Sequence, residues 1–139
     1  MVLLDATRFI ADQLDVMDKA RVHIDVVNMR RGSLGKAMEK GHPQGRDGWY
    51  TIQVKKDMPF LEKIVTLAHE LVHVSQFVTG RLGILDTAKG VDGFIVWEGS
   101  QLDALALRRM TYKDRPWEIE AFACERDLAK AYLAWEEEA

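Results

Sequence analysis

The sequence predicts an α+β fold, a small and mostly antiparallel sheet packed against two long helices. Three observations carry that expectation. Two long segments, from about Pro59 to Thr79 and from Pro116 to about 137, read as helices behind Asp/Pro starts. Short runs rich in β-branched and aromatic residues read as strands at Val22–Val26, Trp49–Val54 and Phe94–Trp97. The two kinds of element do not alternate as a parallel α/β sheet would require.

Taken in order, Leu3, Leu4, Ala6, Phe9, Ile10, Ala11 and Leu14 fit a short amphipathic helix. Val22, Ile24 and Val26 then alternate with His23 and Asp25, the period of a half-buried strand. Gly32, Ser33 and Gly35 mark a turn, and residues 34–39 form an ambiguous short strand. Three glycines and a proline between Gly41 and Gly48 make a loop. Trp49–Val54 is the next strand, and Asp57 and Pro59 open the first long helix, which Gly80 stops. Residues 81–90 read as a loop. Phe94–Trp97 is a strand closed by Gly99, and residues 101–110 permit either helix or strand. Asp114 and Pro116 announce the last helix.

The chain has 139 residues, enough for one domain over residues 1–139 with a core of its own. Hydrophobic residues make up 47% and charged residues 29%, an ordinary globular balance. The net charge is −3 and there is no polybasic run, which argues against nucleic acid or an anionic membrane as partner. One cysteine, Cys124, excludes an intrachain disulfide framework and fits a reducing compartment. No signal-peptide pattern and no run of membrane-spanning length stand in the sequence. The expectation is a cytoplasmic protein.

The chemistry concentrates in His69-Glu70-Leu71-Val72-His73. On a helix, residues i and i+4 share a face, so both imidazoles can reach one metal ion. Glu70 stands beside the pair, where it can take a proton from a metal-bound water without being a ligand. Two histidines and a glutamate inside an apolar run would be costly to bury without a shared purpose. A catalytic zinc ion needs a third protein ligand. Gln76 and Thr79 stand where a longer motif would put Gly and His, so the third arm has to come from elsewhere. The last helix offers Glu118 and Glu120, which lie about 200° apart on a helix and cannot both face one ion. Glu118 sits in the first turn, where the helix amides stabilise a carboxylate without any metal. Glu120 is followed by Ala123 and Cys124, small residues that would allow close helix approach. Glu120 is therefore favoured as ligand.

At this point the chain resembles a known group. The H-E-x-x-H helix followed by a late helix with Glu118-Ile119-Glu120-Ala121 is similar to a minimal gluzincin-type zinc metallopeptidase. The resemblance extends to small zincin-like proteins of bacteria and phages through Val96-Trp97-Glu98-Gly99, Tyr112 and Arg115-Pro116-Trp117. It spans about residues 50 to 130. It implies one catalytic zinc ion on two histidines and a glutamate, Glu70 as general base, and a peptide or protein substrate laid along an edge strand. Tyr112 is a candidate for stabilising the oxyanion, and Trp49–Val54 a candidate for the edge strand. Many gluzincins carry Asp or Asn four residues after the ligand glutamate; here that place holds Cys124 or Phe122. No long specificity subdomain is evident, which suggests either an open cleft or a partner protein that delivers the substrate. Rival expectations are a zincin-shaped binding or regulatory protein with a structural or vestigial metal, and a metal hydrolase of a non-peptide amide.

Overall fold

The computed structural model of the protein describes residues 2–29, 35–39, 49–85 and 94–138. Among them, α1 is Val2–Gln13, β1 Arg21–Val27, β2 Gly35–Glu39, β3 Trp49–Lys55 and α2 Phe60–Val78. They are followed by β4 Leu82–Leu85, β5 Phe94–Trp97, β6 Ser100–Leu102, α3 Ala104–Arg109 and α4 Pro116–Glu138. A 3-10 turn at Tyr112–Asp114 leads into α4. The class is α+β. The turn read at Gly32-Ser33, the loop at 41–48 and residues 86–93 lie outside the described residues.

The sheet differs from the expected single layer. Two three-stranded sheets are present among the described residues, with orders β1-β3-β2 and β4-β5-β6. In the first, β1 runs parallel to β3 while β2 is antiparallel to it. The second is antiparallel throughout. Trp49–Val54 is consequently not an edge: β3 is hydrogen-bonded on both sides, and Tyr50, Thr51 and Ile52 are buried in succession. Buried consecutive residues belong to a strand covered on both faces. Among the described residues the two outer positions fall to β1 and β2.

Two further local expectations change. Residues 82–85, read as loop, form β4, because pairing with β5 supplies backbone partners that the local sequence does not announce. Residues 101–110 divide between a strand end and a short helix. Asp103 caps α3 by accepting a hydrogen bond from the Ala106 amide at 2.8 Å.

α2 is the centre of the molecule and packs on α1, α4, β2, β3 and β4. Ile64, Leu67, Leu71 and Val74 recur at helical spacing, are fully buried, and join Ile52, Val54, Ile10 and Tyr132 in the core. Thr79 closes the helix and Gly80 turns the chain away at φ 74°, a left-handed conformation that favours glycine. Away from that stripe α2 carries His69, His73 and Gln76, which hydrogen-bond to α4, and Glu70, which lies beside Gly35 of β2; all four are buried. No helix among the described residues is long and apolar enough to cross a membrane.

Candidate metal centre

His69 and His73 share one face of α2, as their spacing predicts. Their rings stand 4.9 Å apart between centroids, nearly perpendicular at 82°. Both Nε2 atoms point at a single oxygen, Oε1 of Glu118, at 2.8 Å from His69 and 3.0 Å from His73. The carboxylate that reaches the histidine pair is thus Glu118. Glu120, favoured from the sequence, is turned aside. It receives the Arg81 guanidinium and a hydrogen bond from Gln76 Nε2 at 3.2 Å.

The reason lies in the face that α4 presents to α2. Glu118, Ala121, Ala129 and Tyr132 are buried, while Ala123 is exposed. The small residue that admits close approach is Ala121, fully buried, three residues after Glu118. With Glu125, these residues form one stripe at spacings of three and four. Glu125, in that stripe, accepts a hydrogen bond from His69 Nδ1 at 2.9 Å. Sequence reasoning missed Glu125. Extending the stripe back from Tyr132 and Ala129 would have found it and Glu118 together, two acids in an otherwise apolar row.

Each imidazole is held from behind as well as from the front. His73 Nδ1 donates to Gln76 Oε1 at 2.8 Å, and His69 Nδ1 to Glu125. Such outer partners orient metal-binding histidines and direct the free nitrogen forward. His69, Glu70, His73 and Glu118 are all buried, at 7%, 4%, 7% and 4% exposure.

The electrostatics follow from that enclosure. Burial opposes a charged imidazole at both histidines, but the hydrogen bond to Glu118 and the charges of Glu70 and Glu118 outweigh it. Both imidazole pKa values stand above the ordinary 6.5. Burial alone would raise the Glu118 carboxyl. The hydrogen bonds and charges of the two imidazoles overcome it and hold the pKa at about 2. Glu118 is therefore ionised and only accepts, so each Nε2 facing it carries a proton in the metal-free chain. Two such protons and one divalent cation are equal in charge at that position.

Glu70 differs from the other acids. Burial pushes its pKa up against the pull of His73 and His69, and its Oε2 is buried with no hydrogen-bond partner. One donor atom each from His69, Glu70 and His73 lie within 4.8 Å of one another. Glu118 comes closer to both nitrogens, which leaves Glu70 as a carboxylate beside the cluster. Gly35 at the start of β2 lies over it: a Cβ there would stand 2.5 Å from Thr66 Cγ2 and 3.3 Å from Glu70 Cγ.

Tyr112 is half-exposed at the rim, and its ring meets Phe122 edge-on at 6.4 Å. Phe122 in turn meets the His69 ring at 4.6 Å. Burial of the Tyr112 hydroxyl, then the charge and hydrogen bond of Glu118, push its pKa up, so it keeps its proton. Cys124 is a free thiol whose pKa is also raised by burial, which makes it a poor nucleophile or ligand. His23 pairs with Asp25 on the exposed side of β1, and His42 lies outside the described residues.

Two imidazole nitrogens and one carboxylate oxygen, with the partnerless Oε2 of Glu70 alongside, are the donor chemistry of a three-ligand zinc site with an open position. The residues present fit such an ion. No family model matches the chain, and neither a curated protein nor a solved structure matches it. The functional reading rests on the residues themselves.

Proposed function

We propose that the protein is a metal-dependent hydrolase of the peptide bond, with zinc as its ion, held by His69 Nε2, His73 Nε2 and Glu118. The observation that carries the reading is one Glu118 oxygen facing both Nε2 atoms, beside a buried Glu70 whose Oε2 has no hydrogen-bond partner. Bound there, the ion supplies Lewis-acid chemistry, acidifying a water and polarising a carbonyl.

The chain's own groups supply the rest. Glu70 is the general base: its Oε2 is buried beside the histidine pair with no hydrogen-bond partner, placed to take a proton and return it to the leaving amine. Glu125 and Gln76 hold the two rings from their Nδ1 sides. Tyr112 retains its proton and is the hydroxyl donor proposed for the developing oxyanion.

A peptide is favoured as substrate by β2. It is one of the two outer strands of its sheet among the described residues, and the one that begins over Glu70, at Gly35; it also packs on α2. An extended chain adding to that edge by main-chain hydrogen bonds would run beside the base. This moves the proposed docking edge from β3 to β2.

A second reading, a binding module stabilised by its metal, draws support from the deep burial of the four side chains. Glu70 separates the two. Glu70→Gln should keep zinc at the wild-type stoichiometry and lose about 100-fold or more in cleavage of an unstructured protein substrate. Equal cleavage by both proteins, or none by a zinc-loaded wild type, would leave the binding module as the better account.

A further inference from the structure

Gln76 is fully buried and makes hydrogen bonds at both ends of its amide. Its Nε2 donates to the Trp117 carbonyl at 3.0 Å and to Glu120 Oε1 at 3.2 Å. Both of those partners can only accept when Glu120 is ionised. The Arg81 guanidinium engages both of its oxygens, which keeps Glu120 a carboxylate that only accepts. The NH2 end of Gln76 is therefore committed to α4, and its oxygen is left facing His73 Nδ1 at 2.8 Å. An amide oxygen accepts, so that nitrogen carries the proton.

Glu120 is fixed in turn. Arg81 Nη1 lies 2.8 Å from Oε1 and Nη2 2.5 Å from Oε2, the two-pronged geometry of a guanidinium on a carboxylate. The same guanidinium takes Glu98 Oε1 at 2.8 Å and lies over the Trp97 ring at 4.9 Å. Arg81 thus ties the end of α2 to the β5–β6 turn and to α4.

We propose that Arg81, Glu120 and Gln76 form a relay of positioning residues that sets His73 as its Nδ1–H tautomer and turns the Nε2 lone pair toward the metal. The relay rests on the metal-centre reading above. It gives Glu120 a role one step removed from the ion: orienting the amide that orients the ligand. Each group is fixed by a partner that can bond in only one sense, so the order propagates from a half-buried arginine to a buried imidazole.

The test measures zinc affinity by chelator competition for the wild type, Gln76→Met, Glu120→Ala and the Gln76→Met/Glu120→Ala double variant. It also follows exchange of the His73 Nδ1 proton in the zinc-loaded protein by long-range proton–nitrogen spectra. Gln76→Met should lose about 10- to 100-fold in affinity, the range for outer partners of metal ligands. Glu120→Ala should lose less and speed exchange of that proton, and in the double variant it should add nothing to Gln76→Met. Glu120→Gln, which keeps an acceptor for Gln76 but drops the ion pair with Arg81, should fall between wild type and Glu120→Ala and guards against a misfolded alanine variant. Independent, additive losses, or an unchanged proton in Glu120→Ala, would overturn the relay while the metal reading stands. A wild type that binds neither zinc nor cobalt would overturn the metal reading itself.

Discussion

His69 Nδ1 lies 2.9 Å from Glu125 Oε2, and Glu125 stands seven residues after Glu118, two turns further along the same face of α4. One helix face thus grips one imidazole at both nitrogens. Glu125→Ala should preserve zinc binding but weaken it by about 10- to 100-fold, because the ring loses its orienting partner and not its forward donor. Chelator competition reads the loss. Unchanged affinity would remove Glu125 from the site.

Glu118→Gln should weaken zinc binding far more than Glu120→Gln does. Glu118 contributes the charged oxygen that meets both Nε2 atoms, whereas Glu120 acts only through Gln76. Elemental analysis after gel filtration should find Glu118→Gln largely depleted and Glu120→Gln largely loaded. The reverse order would return the third ligand to Glu120.

Stability of the metal-free protein should depend on pH through the same cluster. His69, His73 and Glu70 have raised pKa values, so what they contribute is present below their ordinary values of 6.5 and 4.5 and is lost as pH rises through the folded ones. Glu118 has a lowered pKa, so its contribution is present above 4.5 and is lost as pH falls toward about 2. Melting temperature in chelator should therefore decline from about pH 5 upward and fall again in acid. Added zinc should widen its stabilising shift over the same alkaline range, since it needs both Nε2 atoms free of protons. A metal-free melting temperature that climbs steadily from pH 5 to 9 would contradict the arrangement of charges.

Gly35→Ala should destabilise the protein by about 1–3 kcal/mol, the usual range for overpacking a filled interior. The added carbon would press on the Thr66 methyl at 2.5 Å and crowd Glu70. Thr66→Ser removes that methyl, so it should recover much of the loss in the double variant. Chemical denaturation of the four proteins checks both statements. Additive penalties would show that the methyl is not the obstacle.

What could be foreseen from the chain divides along physical lines. The histidine pair was legible because a four-residue interval on a helix fixes direction without reference to anything else. Glu118 was not, because an acid in a first helical turn has a local electrostatic reason to be there, and that reason masked its tertiary one. The approach face of α4 was judged from Ala123 and Cys124. It is set instead by the stripe through Ala121, Ala129 and Tyr132, which spans about three turns and is visible only when the whole helix is read at once. The strand Trp49–Val54 was legible as a strand, but its place in the sheet depends on neighbours far along the chain, as does the pairing that makes residues 82–85 a strand. Arg81 carries no local signature, since its three partners, Glu98, Glu120 and Trp97, come together only through the fold.

Glu98 occupies a left-handed backbone conformation, φ 47°, at the β5–β6 turn, and Gly99 follows it at φ 85°. An asparagine or glycine would rest there more comfortably. The glutamate keeps the post because its carboxylate holds Arg81, while its own amide donates to the Arg81 carbonyl at 2.7 Å. Comfort of the hairpin and order at the distant imidazole thus compete at one residue. Selection for heat tolerance alone would tend to replace this glutamate, and would loosen the far end of the chain of contacts that ends at His73.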